Sequence, residues 1–116
     1  MKQRFRLTRS TDFKRVRRSG KSYAHPLVVL YVLKSEQAAL RVGVSAGLAV
    51  GNAIKRNRAK RLLRAAMNDL LPGTVPGSDL LLIARSPLPA ADVHQTRAAL
   101  SNVLKRAGLL SPTHDD

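Results

Sequence analysis

Residues 51–64, GNAIKRNRAKRLLR, hold six cations and no acid. Arginine presents a planar fork of N–H donors that can bind a phosphate through two hydrogen bonds, whereas lysine is a mobile point charge. Asn57, between Arg56 and Arg58, adds an amide that can meet a ribose 2′-hydroxyl or the edge of a base. This combination favours binding to the backbone of a nucleic acid. The six cations are Lys55, Arg56, Arg58, Lys60, Arg61 and Arg64.

An ordinary solvated helix face is the alternative explanation of such a charge run. Solvated faces usually mix signs, because Glu–Lys pairs four residues apart add about 0.2–0.5 kcal/mol each. Here Arg58 and Arg61, and likewise Lys60 and Arg64, are like-charge neighbours on a helix, and cations in the first turn oppose the helix dipole. Such breaches of local stability concentrate at functional sites. We therefore favour a binding surface.

A helix that lies on a membrane surface is a further alternative. Such a helix would carry bulky aromatics beside its apolar face, and this segment has none.

The bulk composition also indicates a polyanionic partner. Among 116 residues there are 21 Lys and Arg against 7 Asp and Glu, a formal net charge of +14. A small domain with this balance repels itself unless a polyanion lies beside it. The length suits one domain. We predict a single domain over residues 1–116, in which a basic arm at 1–9 and a tail at 111–116 are mobile.

Three features of the sequence indicate a cytoplasmic protein without a membrane partner. The chain has no cysteine, which excludes disulfides, thiolate zinc sites and thiol nucleophiles. The longest apolar stretch, residues 26–33, is too short to cross a bilayer. The first ten residues, MKQRFRLTRS, lack the apolar centre of a secretory signal.

The acids and histidines do not form the pattern of a nuclease site. A metal-dependent nuclease needs clustered carboxylates to hold Mg²⁺ near the scissile phosphate. We therefore predict no catalytic residue and no metal site in the protein, although metal-free RNA cleavage by a histidine pair stays open as an alternative. The acids are Asp12, Glu36, Asp69, Asp79, Asp92, Asp115 and Asp116, and the histidines are His25, His94 and His114.

The cationic segment is predicted to lie on a helix over about residues 52–71. Asn52 is a suitable N-cap, and Pro72 with Gly73 is a stop signal. A helical wheel exposes Asn57, Arg58, Arg61 and Arg64 together and leaves Lys55, Arg56 and Lys60 at the flanks. The opposite, apolar face consists of Ala59, Leu62, Leu63, Ala66, Met67 and Leu70.

The other predicted elements give the order α-β-β-α-β-α. A short helix over residues 10–18 precedes a buried strand at 26–33 and a second strand at 39–45, which we expect to be its hairpin partner. A third strand follows at 78–85, and a last helix at 90–107 ends before Gly108. This order predicts a single-domain α+β sandwich.

The segment VGNAIKRNRAKRLLR resembles the signature of the protein subunit of bacterial ribonuclease P, centred on Arg56, Asn57 and Arg58. This motif is highly specific, and the resemblance extends over nearly the whole chain, through LTRSTDFKRVRRSGKSY, RVGVS, DLLLIAR and LSNVLKRAGLL. It implies an α-β sandwich with a left-handed crossover. It also implies an RNA-binding subunit, not itself catalytic, of a ribonucleoprotein endoribonuclease. In that holoenzyme a catalytic RNA with its Mg²⁺ removes the 5′ leader of precursor tRNA, and the protein raises substrate affinity without an obligate protein partner.

The resemblance also assigns residues to two surfaces. The leader-binding cleft would contain Phe13, Arg17, Val29 and Tyr31, although core packing is an equal alternative for Phe13 and Val29. The RNA-binding helix would contribute Asn52, Lys55, Arg56, Asn57, Arg58, Lys60, Arg61 and Arg64.

The chain departs from the family pattern at two places. Arg17 stands where the family usually has a second aromatic, and Leu48 and Ala49 replace a common lysine pair. We therefore expect a cleft that stacks less and relies more on charge, without the phosphate contact of a lysine pair after the second strand. A ribosomal-type structural RNA-binding protein without processing activity is the second hypothesis.

Overall fold

The computed structural model describes residues 1–111, so the predicted tail lies outside the described residues from residue 112 onward. Within this range the chain forms three α-helices and four strands. They are α1 (Ser10–Ser19), β1 (Lys21–Ala24), β2 (Val28–Lys34), β3 (Arg41–Ser45), α2 (Ala53–Leu70), β4 (Ser78–Ala84) and α3 (Val93–Arg106). The predicted α+β class is confirmed, and the predicted order gains one strand, β1.

The four strands form one sheet in the order β1-β2-β4-β3. β2 pairs antiparallel with β1 and with β4, so that Leu30 lies opposite Tyr23 on one side and Leu82 on the other. β3 pairs in parallel with β4, with Val42 opposite Leu80. The predicted hairpin between residues 26–33 and 39–45 is therefore wrong, because β4 lies between these two strands.

The burial of each strand explains this arrangement. Every residue of β4 except Ile83 is buried, and a strand buried on both faces belongs in the interior of a sheet. β3 is shorter and carries half-buried Arg41 and Ser45 at its ends, which suits an edge. The parallel β3-α2-β4 connection is a crossover through a helix, and its left-handed sense stays a prediction. β1 has the sequence KSYA and no alternating apolar pattern, so sequence analysis missed it.

Helices cover both faces of the sheet. α2 and α3 lie on one face over the main core, and α1 lies on the other face over a smaller cluster of buried residues, Leu7, Val16 and Leu81. The arrangement is the predicted sandwich. The largest buried side chains of the main core include Leu30, Leu80 and Leu82 of the sheet, Leu63 and Met67 of α2, and Leu100 and Leu104 of α3.

The ends of α2 agree with the predicted signals. The Asn52 side chain accepts a hydrogen bond from the Lys55 backbone N–H at 3.0 Å, and a 3₁₀ turn at Leu71–Gly73 follows the last helical residue. The final helix begins slightly later than predicted, because a 3₁₀ turn occupies Leu88–Ala90 and Asp92 caps α3. Within residues 1–111, no helix is long and apolar enough to cross a membrane.

Candidate nucleic-acid interface

The cations of α2 lie on a helix whose apolar side is buried against the main core. Ala59, Leu63, Ala66 and Met67 are fully buried, as the wheel predicts, while Leu62 and Leu70 are half-buried. Five of the predicted RNA-binding residues are exposed: Asn52, Lys55, Asn57, Arg58 and Arg61. The other three, Arg56, Lys60 and Arg64, are half-buried. Arg64 therefore differs from the outward orientation predicted for it.

Two of these arginines also form hydrogen bonds within the protein. The guanidinium of Arg58 donates to the carbonyl oxygens of Pro89 at 2.7 Å and Ala91 at 3.2 Å, which ties the turn before α3 to α2. Arg56 donates to the carbonyl of Gly51 at 3.2 Å. Since an arginine has five N–H donors, Arg58 keeps free donors for a phosphate while it supports the fold.

The cations of α2 form no ion pair with any acid among residues 1–111. The ion pairs within residues 1–111 join Arg15 to Asp12 and Asp79, Arg41 to Asp79, and Arg97 to Asp69. In this part of the chain no ion pair includes a cation of α2. The surface of the helix therefore requires counterions or an anionic partner.

A cavity of about 290 Å³ lies beside α2, where the N-terminal segment, the edge strand β3 and the helix meet. Arg6, Lys60 and Arg64 line it together with Phe13. Burial, and then the nearby positive charge of Arg6, lower the pKa of Arg64 below its usual range. Two residues that sequence analysis assigned to separate surfaces, Phe13 and Arg64, thus border one space.

The end of the predicted basic arm packs against the domain. Arg6 forms a bridge with Val42 of β3, and the Leu7 backbone N–H donates to the Val42 carbonyl at 2.9 Å. The Leu7 side chain is 3% exposed. The mobility predicted for residues 1–9 stays a prediction, but Arg6 has a defined position beside β3. Sequence analysis did not predict that Arg6 lines the cavity beside α2, because no local sequence pattern links Arg6 to that helix.

The predicted leader cleft lies on the sheet face that α1 covers. Phe13 and Tyr31 are half-buried and pack against the same small cluster, Leu7, Val16 and Leu81. Val29 lies two residues before Tyr31 on β2, so strand alternation places it on the same face. Arg17 is exposed on α1. Phe13 and Tyr31 are therefore partly core residues that keep an accessible surface.

A buried carboxylate fixes α1 to this face of the sheet. Asp79, 1% exposed at the start of β4, accepts hydrogen bonds from Arg15 of α1 at 2.6 Å and from Arg41 of β3 at 3.0 and 2.9 Å. Burial raises the pKa of Asp79, but the hydrogen bonds and charges of Arg41 and Arg15 lower it more, so the net shift is downward. The signal in the sequence is an acid within the apolar run SDLLLIA, which was not interpreted.

The described residues contain no group of three or more His, Asp or Glu side chains that could hold a metal ion. Of the histidines in this range, His25 accepts a hydrogen bond at Nδ1 from the Leu27 backbone N–H, and Nδ1 of His94 lies 3.0 Å from Arg97. The two belong to different elements, a turn after β1 and the first turn of α3.

The fold and the uncompensated cations define an α+β nucleic-acid-binding domain. The family model described as Ribonuclease P matches residues 1–108. The ribonuclease P protein component of Listeria innocua is 39% identical over 106 residues, which cover 90% of this chain and 89% of the relative.

Solved structures agree with this assignment. The RNase P protein of Staphylococcus aureus superposes with a TM-score of 0.81 at 30% identity, covering 92% of this chain and 98% of that one. The RNase P protein of Thermotoga maritima gives a TM-score of 0.77 at 28% identity, with 87% and 96% covered.

The chain belongs to the ribonuclease P protein family. It is the RNA-binding component of a ribonucleoprotein endoribonuclease and works with the ribonuclease P RNA in tRNA 5′ processing.

Proposed function

We propose that this chain binds both the catalytic RNA and precursor tRNA, and thereby raises the affinity of the holoenzyme for its substrate. In this proposal α2 binds the catalytic RNA through the predicted set from Asn52 to Arg64. The cleft between α1 and β2 binds the single-stranded 5′ leader.

The observation that carries the proposal is the run of cations on α2 without internal ion pairs in the described chain. Because the apolar side of the helix is buried, these side chains start from a fixed backbone, and the exposed ones among them face away from the core. Phosphate groups supply the missing counter-charge, and the release of their condensed counterions drives association.

The cleft has the two components that single-strand binding requires. Half-buried Phe13 and Tyr31 offer ring surface on which bases stack, and exposed Arg17 offers a charge for the backbone. Since Arg17 replaces a second family aromatic, we propose that this cleft depends more on charge than on stacking. The Leu48 and Ala49 replacement removes a pair of cations after β3, and Leu48 is 84% exposed there.

We propose further that the Mg²⁺ of the reaction is held by the RNA. Mg²⁺ in phosphate-processing sites is usually held by phosphate oxygens and water with one or two carboxylates. The RNA supplies the phosphates, and no group of three or more His, Asp or Glu side chains that could hold a metal ion occurs among residues 1–111. A cytoplasmic location is part of the same proposal, since the chain works with the ribonuclease P RNA and has no cysteine that could form a disulfide in an oxidising compartment.

Reconstitution tests the proposal. The purified chain should stimulate cleavage of precursor tRNA by the catalytic RNA at low Mg²⁺, and it should cleave nothing when the catalytic RNA is omitted. Binding to the RNA without any stimulation would favour a purely structural RNA-binding protein. Cleavage by the chain alone would favour a protein nuclease.

A further inference from the structure

The two aromatic rings of the proposed leader cleft meet over one row of residues across the sheet. Tyr31 of β2, Leu81 of β4 and Gly43 of β3 are partners in the strand register. A Cβ atom at Gly43 would lie 2.6 Å from Cε1 of Phe13, well short of the separation of about 3.5–4.0 Å at which carbon atoms pack. The Phe13 ring therefore lies directly over Gly43, and its distance from Tyr31 depends on where α1 lies on the sheet.

Few contacts fix α1 in that place. The helix has ten residues, and helices shorter than about 12–15 residues are marginal in water without tertiary contacts. Among its residues, all of which the structure describes, Val16 alone is buried. The polar contact is made by Arg15, which donates to Asp79 of β4 at 2.6 Å and to Asp12 of its own helix at 3.2 Å. The Arg15–Asp79 ion pair is therefore an important part of what holds α1 against the sheet.

Asp79 is a rigid acceptor for this ion pair. It lies two residues before Leu81 on β4, so strand alternation places its side chain on the face that α1 covers. Arg41 of β3 donates to both carboxylate oxygens, at 3.0 and 2.9 Å, and fixes the orientation in which the carboxylate meets Arg15. Because Asp79 is 1% exposed, it cannot itself touch an RNA strand.

We propose that Asp79 is a positioning residue for binding of the precursor-tRNA leader, because it holds α1, through Arg15, where Phe13 faces the leader. The proposal rests on the proposed leader cleft and deepens it, since it gives a buried acid a part in RNA binding. The sign of the effect is diagnostic. Removal of an acid beside a polyanion strengthens binding if charge alone matters, whereas loss of the position of α1 weakens it.

The leader effect of the reconstituted holoenzyme measures this contribution. It is the dissociation constant for a tRNA without a leader divided by that for the same tRNA with its single-stranded 5′ leader. We expect Asp79→Asn to reduce the leader effect by about fivefold or more, which corresponds to the loss of one base–aromatic stack. Affinity for the leaderless tRNA and binding of the chain to the catalytic RNA should not change. The matched control Asp69→Asn removes the same charge from an exposed ion pair and should not reduce the leader effect.

The variant Arg15→Gln gives an independent measurement if Asp79→Asn does not fold, because it leaves the pair between Asp79 and Arg41 intact. Its matched control is Arg18→Gln, which removes the same charge from an exposed position of the same helix. We expect the leader effect to fall in Arg15→Gln and to persist in Arg18→Gln. The log–log salt slope for a leader oligonucleotide should be the same in Arg15→Gln as in wild type, since loss of a direct phosphate contact would make it shallower by about 0.7.

Three results would overturn the positioning role while the proposed leader binding stands. The first is a leader effect that persists in Arg15→Gln or in folded Asp79→Asn. The second is an equal loss of affinity for both substrates, which would indicate a general loss of folded protein. The third is a shallower salt slope in Arg15→Gln, which would indicate direct contact between Arg15 and the leader. Absence of a leader effect in the wild-type holoenzyme would instead refute the proposed leader binding, and the positioning role with it.

Discussion

Replacing Asp79 with Asn removes a charge on which two elements of the fold converge. The carboxylate is 1% exposed and accepts one hydrogen bond from Arg15 of α1 and two from Arg41 of β3. Breaking a buried ion pair by removing one partner costs about 3–5 kcal/mol. The side chains of Arg15 and Arg41 are 38% and 27% exposed, so both can regain water when their partner is lost. We therefore expect a loss near the lower end, about 3 kcal/mol.

The matched control for this variant is Asp69→Asn. Asp69 pairs with Arg97 at 3.0 Å, but the two side chains are 51% and 41% exposed, and exposed pairs contribute at most about 1 kcal/mol. Urea denaturation followed by circular dichroism gives the free energy of unfolding of wild type and both variants. A loss in Asp79→Asn no larger than that in Asp69→Asn would refute the argument that Asp79 holds α1 on the sheet.

The pH dependence of the same comparison gives a second test. Because the pKa of Asp79 is lower in the folded protein than in the unfolded chain, its ionised form stabilises the fold above the unfolded pKa of about 4. That stabilisation is lost as the pH falls through the folded pKa. The difference in unfolding free energy between wild type and Asp79→Asn should therefore be constant at neutral pH and shrink below about pH 4. If the difference in unfolding free energy stays constant below about pH 4, the ionised Asp79 carboxylate is not the group that stabilises the fold.

Three other predictions concern RNA binding. Arg58→Ala should cost about 1–2 kcal/mol of stability, because it removes two hydrogen bonds to backbone carbonyls. Arg61→Ala should change stability by no more than about 0.5 kcal/mol. Both variants should weaken binding to the catalytic RNA; thermal melts measure the stability and filter binding measures the affinity. If the six cations of α2 each neutralise one phosphate, the log–log salt slope should be about −4 for single-stranded and −5 for duplex RNA, and a slope near zero would exclude electrostatic binding. Arg17→Phe should add base stacking and should make the log–log salt slope of leader binding shallower by about 0.7. An unchanged slope in a salt titration with a leader oligonucleotide would exclude contact between Arg17 and the leader phosphates.

Local signals predicted the basic helix well. Asn52 caps its first turn, Pro72 and Gly73 follow its end, and the spacing of Leu63, Ala66 and Met67 identifies the buried side. These features depend on residues close together in the chain, where side-chain periodicity and capping chemistry act. The fold class followed from the order of such elements.

Three features that sequence analysis missed depend on contacts between distant segments. The pairing of β2 with β4 rather than β3 is set by which strand can be buried on both faces of the sheet. Arg58 looked like a free cation because its carbonyl partners lie about thirty residues away in the turn before α3. Arg64 looked exposed on the wheel because the wheel does not include Arg6, which reaches the cavity only through the pairing of its segment with β3.

The most direct test of the central claim is the affinity of the catalytic RNA for precursor tRNA with and without this chain. The dissociation constant is measured at low Mg²⁺ for a substrate with a single-stranded 5′ leader and for the same tRNA without a leader. We predict that the chain tightens binding of the leader-bearing substrate at least tenfold and changes binding of the leaderless tRNA much less. Equal tightening of both substrates would contradict leader binding, and no tightening of either would contradict the proposal that the protein raises substrate affinity.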